Sequence, residues 1–287
     1  MVRLPTQSTP DYLVVGHIAR DNTPQGPLLG GTCSYAALTA HRLGQRVAMV
    51  TSAGPDIPSL DVLEGVQMEL LPHPHSTTFE NIYEGGVRHQ KWLAAARSLQ
   101  LDDIPPAWRR APIVHLAPLN QEMHPSLCAE FPHSMVGVTM QGWLRGRDAR
   151  HNVVYRPHAA LEKWLPHAEV LILSLNDLFG DQKMLEKYLS LVKVGVETLG
   201  PDGCRLFVGG RVTHVPVQKQ PEADPTGAGD IFAAAFFTHY HQTGDPLQAA
   251  QFANACASLS VGKVGLDGVP DRSAVEAQMA RLYGSSP

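Results

Sequence analysis

The sequence predicts an α/β protein built on a mainly parallel sheet, and three observations predict it. From residue 112 onward, short apolar runs of strand length alternate with helical stretches, the pattern of parallel βαβ units. Two glycine turns, at 30–31 and 227–229, each lead directly into a helix of apolar and small residues. The length, 287 residues, suits one large α/β unit with a small appendage rather than two domains. A single domain over 1–287 is therefore expected.

Taken in order, 12–15 is an apolar strand ending at Gly16. The segment 17–27 is polar and turn-rich and carries Asp21 at the strand's end, the edge where α/β sheets collect ligands. Asp21 also reads as a turn former. Gly30-Gly31 opens a helix that runs to Leu43, with Gly44 as its stop. A second core strand follows at 46–51, then a short helical segment at 60–63 and a strand near 68–71. Residues 77–83 and 88–93 alternate in polarity around Gly85-Gly86, which predicts a hairpin. Five more strands are expected at 113–116, 135–139, 170–173, 194–198 and 204–208, with a helix at 182–192. Gly200 and Gly203 give the last strand pair a hairpin turn. Pro246 begins a helix over 247–261, and 273–283 reads as a surface helix.

The chemistry concentrates at 222–237. Pro225 and Gly227 mark a tight turn, and the apolar run 231–237 reads as a helix buried on most faces. Residues 227–229 then form its first turn, where amides lack helical partners and the helix dipole favours an anion. Glycine lets backbone approach a bulky phosphate closely. Asp230 beside such a hole is placed to take a proton from a hydroxyl that attacks bound phosphate. The same residues also read as a glycine turn before a core helix, whose N-terminus favours an acidic side chain.

The run Asp224-Pro225-Thr226-Gly227-Ala228-Gly229-Asp230 resembles the C-terminal signature D-[TP]-T-G-A-G-D of the ribokinase-like (PfkB) carbohydrate kinases. The resemblance implies a three-layer α/β/α sandwich with a mainly parallel central sheet and a small β-sheet lid. The lid strands would be drawn from about 17–29 and 76–94. It implies transfer of the γ-phosphate of ATP, with Mg²⁺, to a hydroxyl of a sugar or polyol. Gly227, Ala228 and Gly229 would form the anion hole, with Asp230 as catalytic base and Thr226 on the ATP side.

Other stretches extend the likeness. Gly30-Gly31 and the four residues after them resemble the family's N-terminal signature, with Tyr35 where an Asn that holds the sugar is usual. A tyrosine offers a hydroxyl donor or a ring to stack on a flatter face, which turns the expectation from ribose towards an inositol-like polyol or a nucleoside. On the acceptor side the resemblance also implies Asp21, Asn81 and Arg88. Gln141 stands for the Asn of Asp-Pro-Asn, and Arg145, displaced by two residues, reads as a surface arginine. Ser174 and Asp177 take the ends of N-x-x-E. Ser174 would face ATP, and Asp177 would act on Mg²⁺ through water, its carboxylate being a hard donor. Asp177 reads equally as an N-cap of the helix at 182–192. Thr198, Gly200 and Gly203 match T-x-G-x-x-G along the nucleotide, and Asn254 and Ser258 sit on the helix of its adenine side. The departures at Tyr35, Ser174 and Asp177 also fit a catalytically silent sugar- or nucleotide-binding protein on the same scaffold.

Composition limits the remaining classes. A formal net charge of −4 argues against a nucleic-acid binder. Cys33, Cys128, Cys204 and Cys256 lie far apart with no CxxC pair, and read as buried reduced thiols. Residues 1–10 lack an apolar signal core, and no apolar run reaches membrane-spanning length. A cytoplasmic protein is expected, with a small-molecule substrate, no nucleic-acid or membrane partner, and a homodimer through the lid. No P-loop, full G-x-G-x-x-G, HExxH or G-x-S-x-G motif occurs.

Overall fold

Strand alternation sorts the core into two halves. Along β1 (Tyr12–Val15), Tyr12 and Val14 enter one apolar cluster, while Leu13 and Val15 enter another on the opposite face. A sheet buried on both faces needs helices on both, and this is the three-layer arrangement found. The computed structural model describes residues 9–84 and 87–284, with their side chains apart from those of 82–89.

The chain continues through β2 (Ala19–Thr23), β3 (Gly26–Gly30), α1 (Thr32–Arg42), β4 (Val47–Ala53), β5 (Gln67–Pro72), β6 (Thr77–Glu84) and β7 (Val87–Ala94). Next come β8 (Ile113–Leu116), β9 (Met135–Thr139), α2 (Gln141–Leu144), β10 (Arg145–Arg147), β11 (Val153–Tyr155), α3 (Leu161–Trp164) and β12 (Val170–Ser174). The last third holds α4 (Gln182–Leu189), β13 (Val194–Thr198), β14 (Cys204–Val208), β15 (Arg211–Val215), α5 (Ala228–Thr243), α6 (Pro246–Ser260) and α7 (Arg272–Tyr283).

The main sheet has nine strands in the order β15-β14-β13-β12-β9-β8-β1-β4-β5. It is parallel from β13 to β5 and antiparallel at β14 and β15. Helices α1, α5 and α6 cover one face, and Trp108, Trp143 and α4 cover the other. A second sheet, β3-β2-β6-β7, stands apart as the small appendage. Within it β2 pairs parallel with β6 and antiparallel with β3.

Several expectations change in detail. Asp21, expected just past the end of the first strand, lies within strand β2. The units after residue 112 are less regular than alternation suggested. The β8–β9 connection carries a single 3₁₀ turn, Pro125–Ala129, and the β9–β12 connection carries the short pair β10–β11. Strand β15 was not anticipated, since four of its five residues are exposed and give no apolar alternation. Its signal was Gly209-Gly210, both at positive φ, a two-residue hairpin turn. Helix α4 ends at Leu189, three residues before the expected end. All four cysteines are buried free thiols, as expected. Among the described residues no helix is long and apolar enough to cross a membrane.

Candidate active site

Helix α5 positions the centre of the site. Its apolar residues from Ile231 to Phe237 are all buried, and Gly137 on β9 makes room for the Phe237 ring. This packing fixes where the helix begins. Gly227 caps it at φ 80, a left-handed conformation that a side chain would strain. The Ala228 amide closes a turn on the Pro225 carbonyl at 3.2 Å, and the helical ladder starts with Ile231 N donating to Gly227 O at 2.9 Å. The amides of Gly229 and Asp230 therefore lie ahead of the ladder, at the positive end of the dipole.

Asp224, to which no role was assigned from sequence, holds this turn. Its Oδ1 accepts from the Thr226 amide at 2.9 Å and its Oδ2 from the Gly265 amide at 3.0 Å. The carboxylate thus ties the turn to the loop that follows α6.

Two cavities meet at the turn. The smaller, about 360 Å³, lies between the small sheet and the main body and is lined by Asp21, Gly31, Tyr35, Thr226, Gly227 and Asp230, among others. The larger, about 650 Å³, lies over the ends of β12 and β13 and is lined by Ser174, Thr198, Gly200, Gly203, Asn254 and Ser258, among others. Pro225 and Gly229 line both. A β-carbon on Gly229 would meet nothing within 4 Å, so its backbone stands open at the junction.

Around the smaller cavity, Asp230 is half-buried and hydrogen-bonds the Thr32 side chain. Its pKa is raised to about 7, chiefly by burial; Asp177 and Asp21 raise it further, while Thr32 and Arg145 oppose. Asp21 folds its carboxylate into the space of a Gly30 side chain, since a β-carbon there would lie 1.9 Å from Oδ2. Gly31 caps α1 at φ 88, where a β-carbon would lie 2.8 Å from the Ala19 amide nitrogen. Tyr35 is almost wholly buried, and its hydroxyl is held protonated by burial and by Asp230, Asp21 and Asp224.

Some candidates stand elsewhere than expected. Arg145 is not a surface residue: it lines the smaller cavity, with its guanidinium 5.9 Å from the Phe79 ring centre. The two-residue displacement hid this, because α2 and β10 turn the chain back inward. Asn81 accepts a hydrogen bond from Gln90 Nε2 at 3.0 Å, and Gln90 and Thr32, both unassigned from sequence, bound the cavity together with Gln141. Arg88 lies outside the described side chains. Thr226 lines the smaller cavity rather than the larger.

On the larger side, Ser174 and Asp177 form a reciprocal cap. Asp177 Oδ2 accepts from both the amide and the hydroxyl of Ser174, each at 2.8 Å, and Oδ1 accepts from Gln141 Nε2 at 2.8 Å. Asp177 therefore caps the 3₁₀ turn Leu175–Leu178, and the N-cap of α4 is Asp181. The Asn254 amide donates to Val215 O at 2.9 Å, so it fastens α6 to β15 while lining the cavity wall. Gly203, at φ 91, brings backbone against backbone: a β-carbon would lie 2.2 Å from Val215 O. The sequence reading missed Glu197, nearly fully buried in an ion pair with Arg205 on the cavity floor.

The fold and these motifs have known counterparts. The profile of the pfkB family carbohydrate kinases matches residues 136–272. A ribokinase of Bacillus subtilis is 26% identical over 86% of this chain and 86% of its own length. A cytidine kinase of Thermococcus kodakarensis is 24% identical over 83% of this chain and 91% of its own. Among solved structures, a pyrophosphate-dependent kinase in the ribokinase family superposes with a TM-score of 0.79 at 22% identity, covering 93% of this chain and 99% of that one. Arabidopsis thaliana ribokinase, solved with ribose and ATP, gives 0.70 at 20% identity, covering 94% and 99%. The fold is that of the ribokinases, and residues 136–272 carry the likeness to the pfkB carbohydrate kinases.

Proposed function

We propose that the chain transfers the γ-phosphate of ATP to a hydroxyl of a small sugar, polyol or nucleoside, with Asp230 as the base. The supporting observation is the junction of two cavities at Gly229 and Pro225, with Asp230 on the wall of the smaller one. The acceptor would occupy that smaller cavity, with Asp21, Gln90 and Gln141 offering hydrogen bonds to its hydroxyls. Phe79, Leu119 and Tyr35 supply flat or apolar walls there, which suits a ring. The donor would occupy the larger cavity. Phe232, Ala257 and Val261 give that cavity an apolar wall, which an adenine ring can cover and which pyrophosphate alone cannot.

In the reaction, the acceptor hydroxyl attacks the γ-phosphorus in line. Asp230 takes its proton, and the bond to the bridging oxygen breaks to release ADP. The first-turn amides at 227–229 face the charge that develops on the transferring group. A pKa near 7 suits a base that must be ionised at neutral pH yet bind a proton as the bond forms. Closure of the small sheet over the acceptor would exclude water, a competing nucleophile.

Mg²⁺ fits as an ion carried by the nucleotide. Among the described residues no group of three His, Cys, Asp or Glu gathers to cage a metal, and both Asp177 oxygens already accept hydrogen bonds. Mg²⁺ characteristically takes few protein carboxylates plus phosphates and waters. Asp177 would meet it through water, and the ion would neutralise phosphate charge. Phosphate transfer to a panel of sugars, polyols and nucleosides tests the reading, with ATP and pyrophosphate as alternative donors and Mg²⁺ present. Transfer from ATP supports it. Transfer from pyrophosphate alone overturns the donor assignment, and tight binding without transfer points to a silent binding protein.

A further inference from the structure

Tyr35 touches the turn that the proposed chemistry depends on. A β-carbon built on Gly227 would lie 2.3 Å from Tyr35 Cε1, 2.4 Å from Cδ1 and 2.6 Å from Cζ. The ring therefore fills the space that any residue other than glycine would need at the cap of α5. At its far end, the hydroxyl oxygen lies 3.9 Å from where a Gly265 side chain would begin. Gly265 is the residue whose amide Asp224 holds, and Asp224 also holds Thr226, the neighbour of Gly227. Tyr35 thus lies against Gly227, and Asp224 joins the neighbouring Thr226 to Gly265, near which the Tyr35 hydroxyl ends. The tyrosine is anchored from behind by α1, where Thr39 Oγ1 donates to its carbonyl at 2.7 Å.

We propose that Tyr35 is a positioning residue for the turn at 227–229, as well as a wall of the smaller cavity. It acts through Gly227 and not through contact with the reacting atoms, and it is rigid enough to do so because its ring is buried against the turn. One consequence follows for substrate choice. An acceptor that presses on the ring shifts the amides, so the cavity's shape and the turn's geometry are coupled. The inference rests on reading those amides as the anion hole.

The test is a double-mutant cycle with two readouts, steady-state kinetics and backbone hydrogen exchange at 226–229. Tyr35→Ala is expected to lower kcat by about tenfold or more, since displaced oxyanion donors act on the transition state. It should also speed exchange at the turn, and Tyr35→Phe should recover most of both losses. Gly227→Ala should lower kcat on its own. Tyr35→Ala combined with Gly227→Ala should lose less than the product of the single losses, because the new methyl enters the vacated space. If Tyr35→Ala does not fold, Tyr35→Leu replaces it, keeping an apolar plug without the ring. Single losses that multiply, or a Tyr35→Ala variant that changes only the acceptor KM and leaves exchange at the turn unaltered, would overturn the proposal. A parent protein that transfers phosphate to nothing defeats the kinase reading instead. The exchange arm then still decides whether Tyr35 holds the turn.

Discussion

Asp230 sits at a helix N-terminus, where an ionised carboxylate is ordinarily favoured, yet burial lifts its pKa to about 7. Burial outweighs the dipole because the side chain faces the cavity with Asp177 and Asp21 nearby. Two predictions follow at this scale. A base must be ionised, so kcat/KM for the acceptor should rise with pH and level off above about 7. The pH–rate profile of the parent checks this, and a flat profile between pH 5.5 and 8 would speak against it. The second prediction concerns folding. A carboxyl whose folded pKa exceeds its unfolded value of 3.8 costs stability once ionised. That cost is absent below the unfolded pKa, grows as pH rises, and is complete above about pH 7. Asp230→Asn should therefore melt higher than the parent at pH 8, with the gap shrinking towards pH 5. Asp230 was legible in the sequence because its motif is local and contiguous. Arg145, Gln90 and Thr32 were not, since they reach the cavity only through the fold of α2, β7 and α1.

At the scale of elements, glycines fix how close two segments come. The Gly203 backbone lies against β15 so tightly that a β-carbon would fall 2.2 Å from Val215 O, and its φ of 91 already disfavours a side chain. Gly203→Ala should destabilise the protein by about 2 kcal/mol or more. It should also raise the nucleotide KM, because the β13–β14 hairpin floors the larger cavity. Thermal unfolding and nucleotide titration would show both effects, and an unchanged Tm would contradict the close approach. This hairpin was readable from Gly200 and Gly203. Its continuation into β15 was not, because an exposed edge strand carries no apolar alternation. Asp177 shows a different limit. Its position was legible, but nothing local to it shows that Ser174 and Gln141 occupy its two oxygens, because Gln141 arrives from another strand end.

For the whole molecule, the parallel core came through in the spacing of apolar runs, and the small sheet in the alternation at 77–83 and 88–93. What spacing could not convey is that the two cavities share a wall, since that depends on where α5 begins relative to both sheets. The shared wall predicts that metal removal acts on chemistry and not on folding. Among the described residues no metal cage supports the structure, so EDTA should abolish phosphate transfer while leaving the melting curve unchanged. A large fall in Tm would reveal a structural metal instead.

The central claim is that the hydroxyl proton goes to Asp230. It is tested most directly by comparing Asp230→Asn with the parent for ATP-driven phosphorylation of whichever acceptor the panel identifies. The account predicts intact ATP binding and a kcat lower by about 10²–10⁴-fold or more. A variant that binds ATP and turns over like the parent would contradict it.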